Sequence, residues 1–210
     1  MEKIFVVGTG GLAREFTAFF SSQVEIVGFT STNKEEYEKY NLPGIFFEGD
    51  INPSIVGTDQ CVIAIGSPDD KEMIDKKFES KGFSFPNLIH ASAVVGSNVE
   101  ASRKGLIISP NCTVGSNVLF GDHVYLNFMV GVGHDCIFKG FNQVNPGVQV
   151  GGFSEIGSHV LLGTNSTIRQ GLKVGSGATV GSGAVVLSGV RDGLTVLGNP
   201  ARRLKLPISE

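Results

Sequence analysis

The chain has 210 residues, 20 Asp and Glu against 17 Lys and Arg, a formal charge of −3 and 41% hydrophobic residues. That length suits one large or two modest cores, and so even a charge balance, without a Lys/Arg block, argues against nucleic acid as a partner. There is no cleavable apolar leader and no apolar run near the ~18 residues of a membrane span, so a cytoplasmic protein with no membrane association is expected.

The three cysteines, Cys61, Cys112 and Cys136, include no CxxC pair and read as buried reduced thiols. Charge is uneven along the chain: residues 1–86 carry 14 acids against 8 bases, and the remainder 6 against 9. The basic excess of the second part would suit a phosphate-bearing cofactor.

Lys3 to Val7 is a short apolar strand that Gly8-Thr9-Gly10-Gly11 turns into a helix over about Leu12 to Phe20. Val24 to Phe29 is a second strand, followed by a polar stretch to Leu42. Gln60 to Ile65 is uniformly apolar, as a parallel strand covered on both faces should be. Gly66-Ser67-Pro68 then opens a helix to about Lys81, with Pro68 at its first position. This alternation predicts a small Rossmann-like α/β domain over residues 1–86.

From residue 87 the pattern changes. Val114, Phe120, Leu126, Val132, Phe138, Val144, Val150, Ile156, Leu162, Ile168, Val174, Val180 and Val186 recur at intervals of six, and the next residue is Gly in eight of the thirteen cases. Such a period marks a parallel β-helix. Side chains two apart share a strand face, so the fifth residue of one unit and the first of the next both point inward. The second to fourth residues make the turn, and Gly or Asn in second place suits a positive φ there. Three units close one triangular coil, which stacks residues eighteen apart. The register starts at Val95, slips between Ala101 and Gly105, and resumes at Ile108. The solenoid domain is assigned residues 87–210, with a cap over about 191–210 closing its open end.

Gly8-x-Gly10-x-x-Ala13 after a strand is a dinucleotide-type turn, able to bring a phosphate against helix N-terminal amides. A nicotinamide cofactor would also want a carboxylate at the end of the second strand, and Thr30-Ser31 stand there; NAD is not expected. Among the histidines, His90 reads as a connector residue, and His123 and His159 as solvated turn residues. His134 differs. It sits in a turn beside Asp135, which can orient an imidazole and raise its basicity, and Gly152 occupies the same corner one coil on. A zinc hydratase would need three converging ligands; no His-x4-His pair is present, and no metal is expected. No nucleophile motif appears.

The glycine-turn domain, the Asn87-Leu88-Ile89-His90 connector, the run from Asn127 to His134-Asp135-Cys136 and the closing Gly198-Asn199-Pro200-Ala201-Arg202 resemble the hexapeptide-repeat sugar acetyltransferases with a left-handed β-helix. These include sialic acid O-acetyltransferases and UDP-4-amino-sugar N-acetyltransferases. The resemblance implies an acetyl-CoA-dependent N- or O-acetyltransferase acting on a sugar or nucleotide-linked sugar. His134 matches the general base, Asp135 the carboxylate that assists it, and Asn127 an acceptor-side residue. Acetyl-CoA contacts map to Gln143, Thr164 and Ser182, and sugar-nucleotide contacts to Gly10, Gly11, Leu12, Thr30, Ser31 and Gly66. It further implies a homotrimer with active sites between subunits. Leu12, Thr30, Ser31 and Gln143 depart from the family pattern. Acetyl transfer to a non-sugar amine or hydroxyl, and a non-catalytic nucleotide-binding trimeric scaffold, also fit the sequence.

Overall fold

The computed structural model describes residues 1–102 and 104–204. The first part is a parallel four-stranded sheet in the order β3-β2-β1-β4, built from β1 (Glu2–Val7), β2 (Val24–Thr30), β3 (Ile45–Phe46) and β4 (Cys61–Ile63). Around it lie α1 (Gly11–Phe20), α2 (Lys34–Lys39), α3 (Pro53–Val56) and α4 (Pro68–Glu79). Alternation along β1 divides the core. Ile4 and Val6 pack with Phe16, Phe20 and Phe29, whereas Phe5 and Val7 pack with Phe78, Phe83 and Phe85. The strand and two helices that the sequence did not signal are short, and α2 buries no residue at all. Without an apolar stripe it has no periodicity to read; it is held by Asn33, whose side chain accepts from the Glu36 N–H.

The second part is a three-sided parallel solenoid. Face 1 stacks 88–89, 107–108, 125–126, 143–144, 161–162 and 179–180; face 2 runs from 94–95 to 185–186; face 3 runs from 100–101 to 173–174. Partners are mostly eighteen residues apart, as with Leu126 on Val144 and Val132 on Val150. The predicted first-place residues from Val114 to Val186 are all buried, together with fifth-place Val118, Val124, Val130, Cys136, Val148 and Val160. All three cysteines are buried and free.

The solenoid begins at Leu88, one unit earlier than the hexads suggested. The slip after Ala101 inserts one residue, and Lys104 in that insertion reaches Asp75 and Glu79 of α4, each at 3.0 Å. At the far end Thr195–Leu197 pairs with 179–180 and Arg202–Arg203 folds back antiparallel upon it. The part of the expected cap at 205–210 lies outside the described residues.

The turn chemistry differs from expectation. From Asn111 to Gly183 positive φ falls in the fourth place of the unit, not the second: Asn117, His123, Met129, Asp135, Phe141, Phe153, His159 and Asn165 all lie between +52° and +61°. Second-place glycines are needed for another reason, which is contact between coils. A Cβ on Gly133 would come within 2.4 Å of the Gly152 nitrogen, and one on Gly163 within 2.5 Å of the Ser182 nitrogen. A methyl there would separate the stacked backbones.

The α/β part sits on face 1. Ile107 and Tyr125, which point outward from that face, are buried in the same cluster as Ile4, Val6 and Phe16. Helix α1 meets the corner between faces 1 and 2, where Phe19 packs edge-on against Phe128 at 5.8 Å. Helix α4 meets the corner between faces 3 and 1, where His123, Phe141 and His159 stack with ring separations of 5.4 and 5.1 Å. Both histidines expected to be solvated are instead paired there, His123 with Asp75 and His159 with Glu72, each at 2.9 Å. Burial lowers the His123 pKa, so the ring is neutral and donates to the Asp75 carboxylate. The remaining corner, between faces 2 and 3, is opposite the α/β part.

Candidate active site

Two groups of residues carry recognisable chemistry. The first gathers at the C-terminal edge of the parallel sheet, where ligands of α/β sheets bind. Gly8 closes β1 with φ +116°, and a Cβ there would lie 2.7 Å from the Ala64 carbonyl. Its N–H donates to the Thr30 carbonyl at 2.8 Å, which holds the end of β2 beside the turn. Gly10 is the N-cap residue of α1 and offers no side-chain cap, so the first-turn amides after it remain open to an anion. Gly11, Thr30 and Ser31 border this edge, Leu12 is half-buried against the core, and Gly66 precedes the Ser67 cap of α4.

Glu36 went unnoticed in the sequence. Its Oε2 lies 3.6 Å from where a Gly10 Cβ would be. Helix α2 thus brings a carboxylate over the glycine turn that the end of β2 does not supply. Arg14, stacked 3.8 Å from the Tyr40 ring centre, is 3.8 Å from the same carboxylate.

The second group lies on the corner between faces 2 and 3. His134 follows Val132-Gly133 and is about half exposed. Its Nδ1 is 2.7 Å from Asp135 Oδ2. Asp135 has φ +57°, and this left-handed backbone turns its side chain back onto its neighbour. Asp135 is itself held: its N–H donates to the Ser116 carbonyl at 2.9 Å, and Asn117 Nδ2 donates to its Oδ1 at 3.3 Å. With Nδ1–H donating to the carboxylate, the ring presents its lone pair at Nε2. That nitrogen faces Gly152, where a Cβ would stand 3.0 Å away, and the Phe153 ring meets the imidazole edge-to-face at 4.9 Å.

The other predicted site residues are not on this corner. Asn127 is buried at the corner between faces 1 and 2, where its Nδ2 donates to Glu15 of α1 at 3.0 Å and its Oδ1 accepts from the Phe128 N–H at 2.7 Å. Thr164 and Ser182 stack above it on that corner and are exposed; the Gly183 N–H donates to the Thr164 carbonyl at 2.8 Å. Gln143 points from face 1 into the seam and is buried, accepting from Lys71 Nζ at 2.7 Å and donating to Asn145 at 3.2 Å. Among the described residues no three His, Cys, Asp or Glu side chains gather where they could hold a metal, and no helix is long and apolar enough to cross a membrane.

Residues 153–188 match the family model for the bacterial transferase hexapeptide, six repeats. A GDP-perosamine N-acetyltransferase of Escherichia coli O157:H7 is 31% identical over 148 residues, which are 68% of this chain and 66%, just under two thirds, of that protein. The acetyltransferase domain of PglB from Neisseria gonorrhoeae FA1090 superposes with a TM-score of 0.83 at 27% identity, covering 97% of this chain and 100% of that one. Its complex with acetyl coenzyme A gives a TM-score of 0.81 at 26% identity over 97% and 99% of the two chains. PerB from Caulobacter crescentus, in complex with CoA and GDP-perosamine, shares the fold at 22% identity, with a TM-score of 0.83 over 98% of both chains. The chain is similar to these hexapeptide-repeat acetyltransferases and shares their fold, a Rossmann-like first part followed by a left-handed β-helix.

Proposed function

We propose that the protein transfers the acetyl group of acetyl-CoA to the amine of a nucleotide-linked amino sugar, with His134 as general base. The observation that carries this reading is the His134–Asp135 pair: a carboxylate fixes Nδ1 at 2.7 Å, and Nε2 is left facing a glycine. His134 takes a proton from the acceptor nitrogen as that nitrogen attacks the thioester carbonyl; Asp135 stabilises the imidazolium that results. The coenzyme thiolate leaves and is protonated. Peptide N–H groups of the turns are available to the oxyanion. The GDP-perosamine named for two relatives supports a nucleotide-linked amino sugar as acceptor, and the uncapped turn at Gly10 and Gly11 suits its phosphates.

The same geometry supports a site completed by a second copy. The α/β part covers face 1, and His134 is on the corner opposite, so one chain's own glycine turn and base are turned away from each other. Asn127, Thr164 and Ser182 lie on a different corner from His134. In a trimer, one protomer would supply His134 and Asp135, and its neighbour Thr164, Ser182 and the nucleotide-binding turn, with acetyl-CoA along the groove between them.

The test is thiol release by the purified protein from acetyl-CoA with GDP-, UDP-, dTDP- and CMP-linked amino sugars. One nucleotide class should support saturable turnover, and His134→Ala should lower it by about 10²–10⁴-fold with the fold intact. No turnover with any acceptor, together with no saturable acetyl-CoA binding by calorimetry, would instead indicate a nucleotide-binding scaffold.

A further inference from the structure

Phe153 is an aromatic residue in the conformation least suited to it. The fourth place of the hexad is left-handed from Asn111 to Gly183, and Asn fills it at 111, 117 and 165, as it does at 98. Asn and Gly tolerate that backbone, whereas a bulky side chain at φ +57° is an outlier. Phe141 shares the conformation, but its ring is sandwiched between His123 and His159. Phe153 has no such packing to offset the strain: it is 58% exposed. Met129 is similarly exposed at the corner between faces 1 and 2, and nothing in the structure explains it. What Phe153 does have is His134, at 4.9 Å between ring centres and 89° between planes. Backbone strain that packing does not offset is found where function requires it.

We infer that Phe153 is a positioning residue for the base. Asp135 fixes one atom of the imidazole and leaves the ring free to swing about that hydrogen bond. Gly152 has no side chain to stop it; a Cβ there would crowd Cε1 and Nε2 at 3.0 Å. The Phe153 ring supplies the missing wall. It holds the imidazole plane so that Nε2 keeps one direction. Gly152-Phe153 thus works as a unit, with one residue clearing the path to Nε2 and the next fixing the ring that carries it. This inference rests on His134 being the base, and its test is arranged so that the two fail separately.

The decisive variant is Phe153→Asn, because Asn suits the backbone at this place and removes only the ring. The melting temperature should stay level or rise, while kcat falls roughly 10-fold and both KM values change by less than about threefold. Phe153→Tyr keeps the wall and should retain at least about half of kcat. In a His134→Ala background, Phe153→Asn should leave the residual rate unchanged within about twofold, since a residue acting through the base has nothing left to position. Three results would overturn the assignment: kcat of Phe153→Asn within twofold of the parent, Tyr falling as far as Asn, or an undiminished loss in the His134→Ala background. Near-full turnover by His134→Ala alone would instead sink the base assignment itself.

Discussion

Asp135 holds the ring of the residue immediately before it, with Oδ2 2.7 Å from His134 Nδ1. Strand neighbours point to opposite faces and could not make this contact; the left-handed φ of +57° at Asp135 makes it possible. Asp135→Asn should therefore leave the turn in place, because Asn accepts that backbone. What it removes is the anion that stabilises the imidazolium. The expected outcome is a loss in kcat on the order of 10²-fold, with little change in melting temperature. Unchanged kcat at saturating acetyl-CoA would exclude a role for the carboxylate.

Gly151 and Gly152 are adjacent glycines with different jobs. A Cβ on Gly151 would meet the Gln170 nitrogen at 2.5 Å, whereas one on Gly152 would meet His134 at 3.0 Å, at Cε1 and Nε2 of the ring and at the carbonyl oxygen, a less severe contact with backbone. Gly151→Ala should thus act on the fold, costing about 1–3 kcal/mol by forcing two coils apart. Gly152→Ala should act on turnover, lowering kcat with a smaller effect on melting temperature. Paired thermal melts and kinetics test this, and equal melting shifts for the two variants would contradict it.

The solenoid was legible because its core is periodic: every sixth residue faces inward, and no tertiary information is needed to see it. The reason for the second-place glycines was not legible, since the contact that forbids a Cβ at Gly133 comes from Gly152 in the next coil. Sequence could suggest a turn at those glycines, but not that the fourth residue adopts the positive φ. The His134–Asp135 adjacency could be read directly because both partners are neighbours in the chain. His123 and His159 could not, because their partners Asp75 and Glu72 are 48 and 87 residues away on α4. Glu36 was missed for a similar reason: it belongs to a helix without an apolar stripe, and only the fold brings it to Gly10.

Lys71 should make stability depend on pH in a definite direction. It is buried on α4 in the seam, donating to the Asn142 carbonyl at 3.1 Å and to Gln143 Oε1 at 2.7 Å. Burial lowers its pKa from the usual 10.5 to about 7. The unfolded chain therefore binds this proton more tightly than the folded one, and stability rises with pH across that interval. The contribution is fully present above the unfolded value and is lost as pH falls towards the folded one. In Lys71→Met this titration is gone while the other groups remain, so the melting temperature of the parent minus that of the variant should increase from pH 7 to pH 10. Parallel melting curves over that range would show that Lys71 is not depressed.

A site divided between protomers can be tested by complementation. His134→Ala removes the base on the corner between faces 2 and 3. Gly10→Asp acts on the α/β part: Asp is a favourable N-cap for α1, but its carboxylate would stand where a phosphate has to approach and would repel it. Each variant alone should be nearly inactive. If the two are co-expressed at equal levels and assemble at random, a site that draws His134 from one chain and Gly10 from another is intact in about a quarter of cases, counted over pairs of neighbouring protomers. Mixing already assembled homotrimers should restore nothing until the subunits exchange. If both elements belonged to one chain, no mixture could regain activity, because every chain would carry one lesion. Recovery near one quarter of the parental kcat with unchanged KM therefore supports the divided site, and failure to recover in proven mixed trimers rejects it.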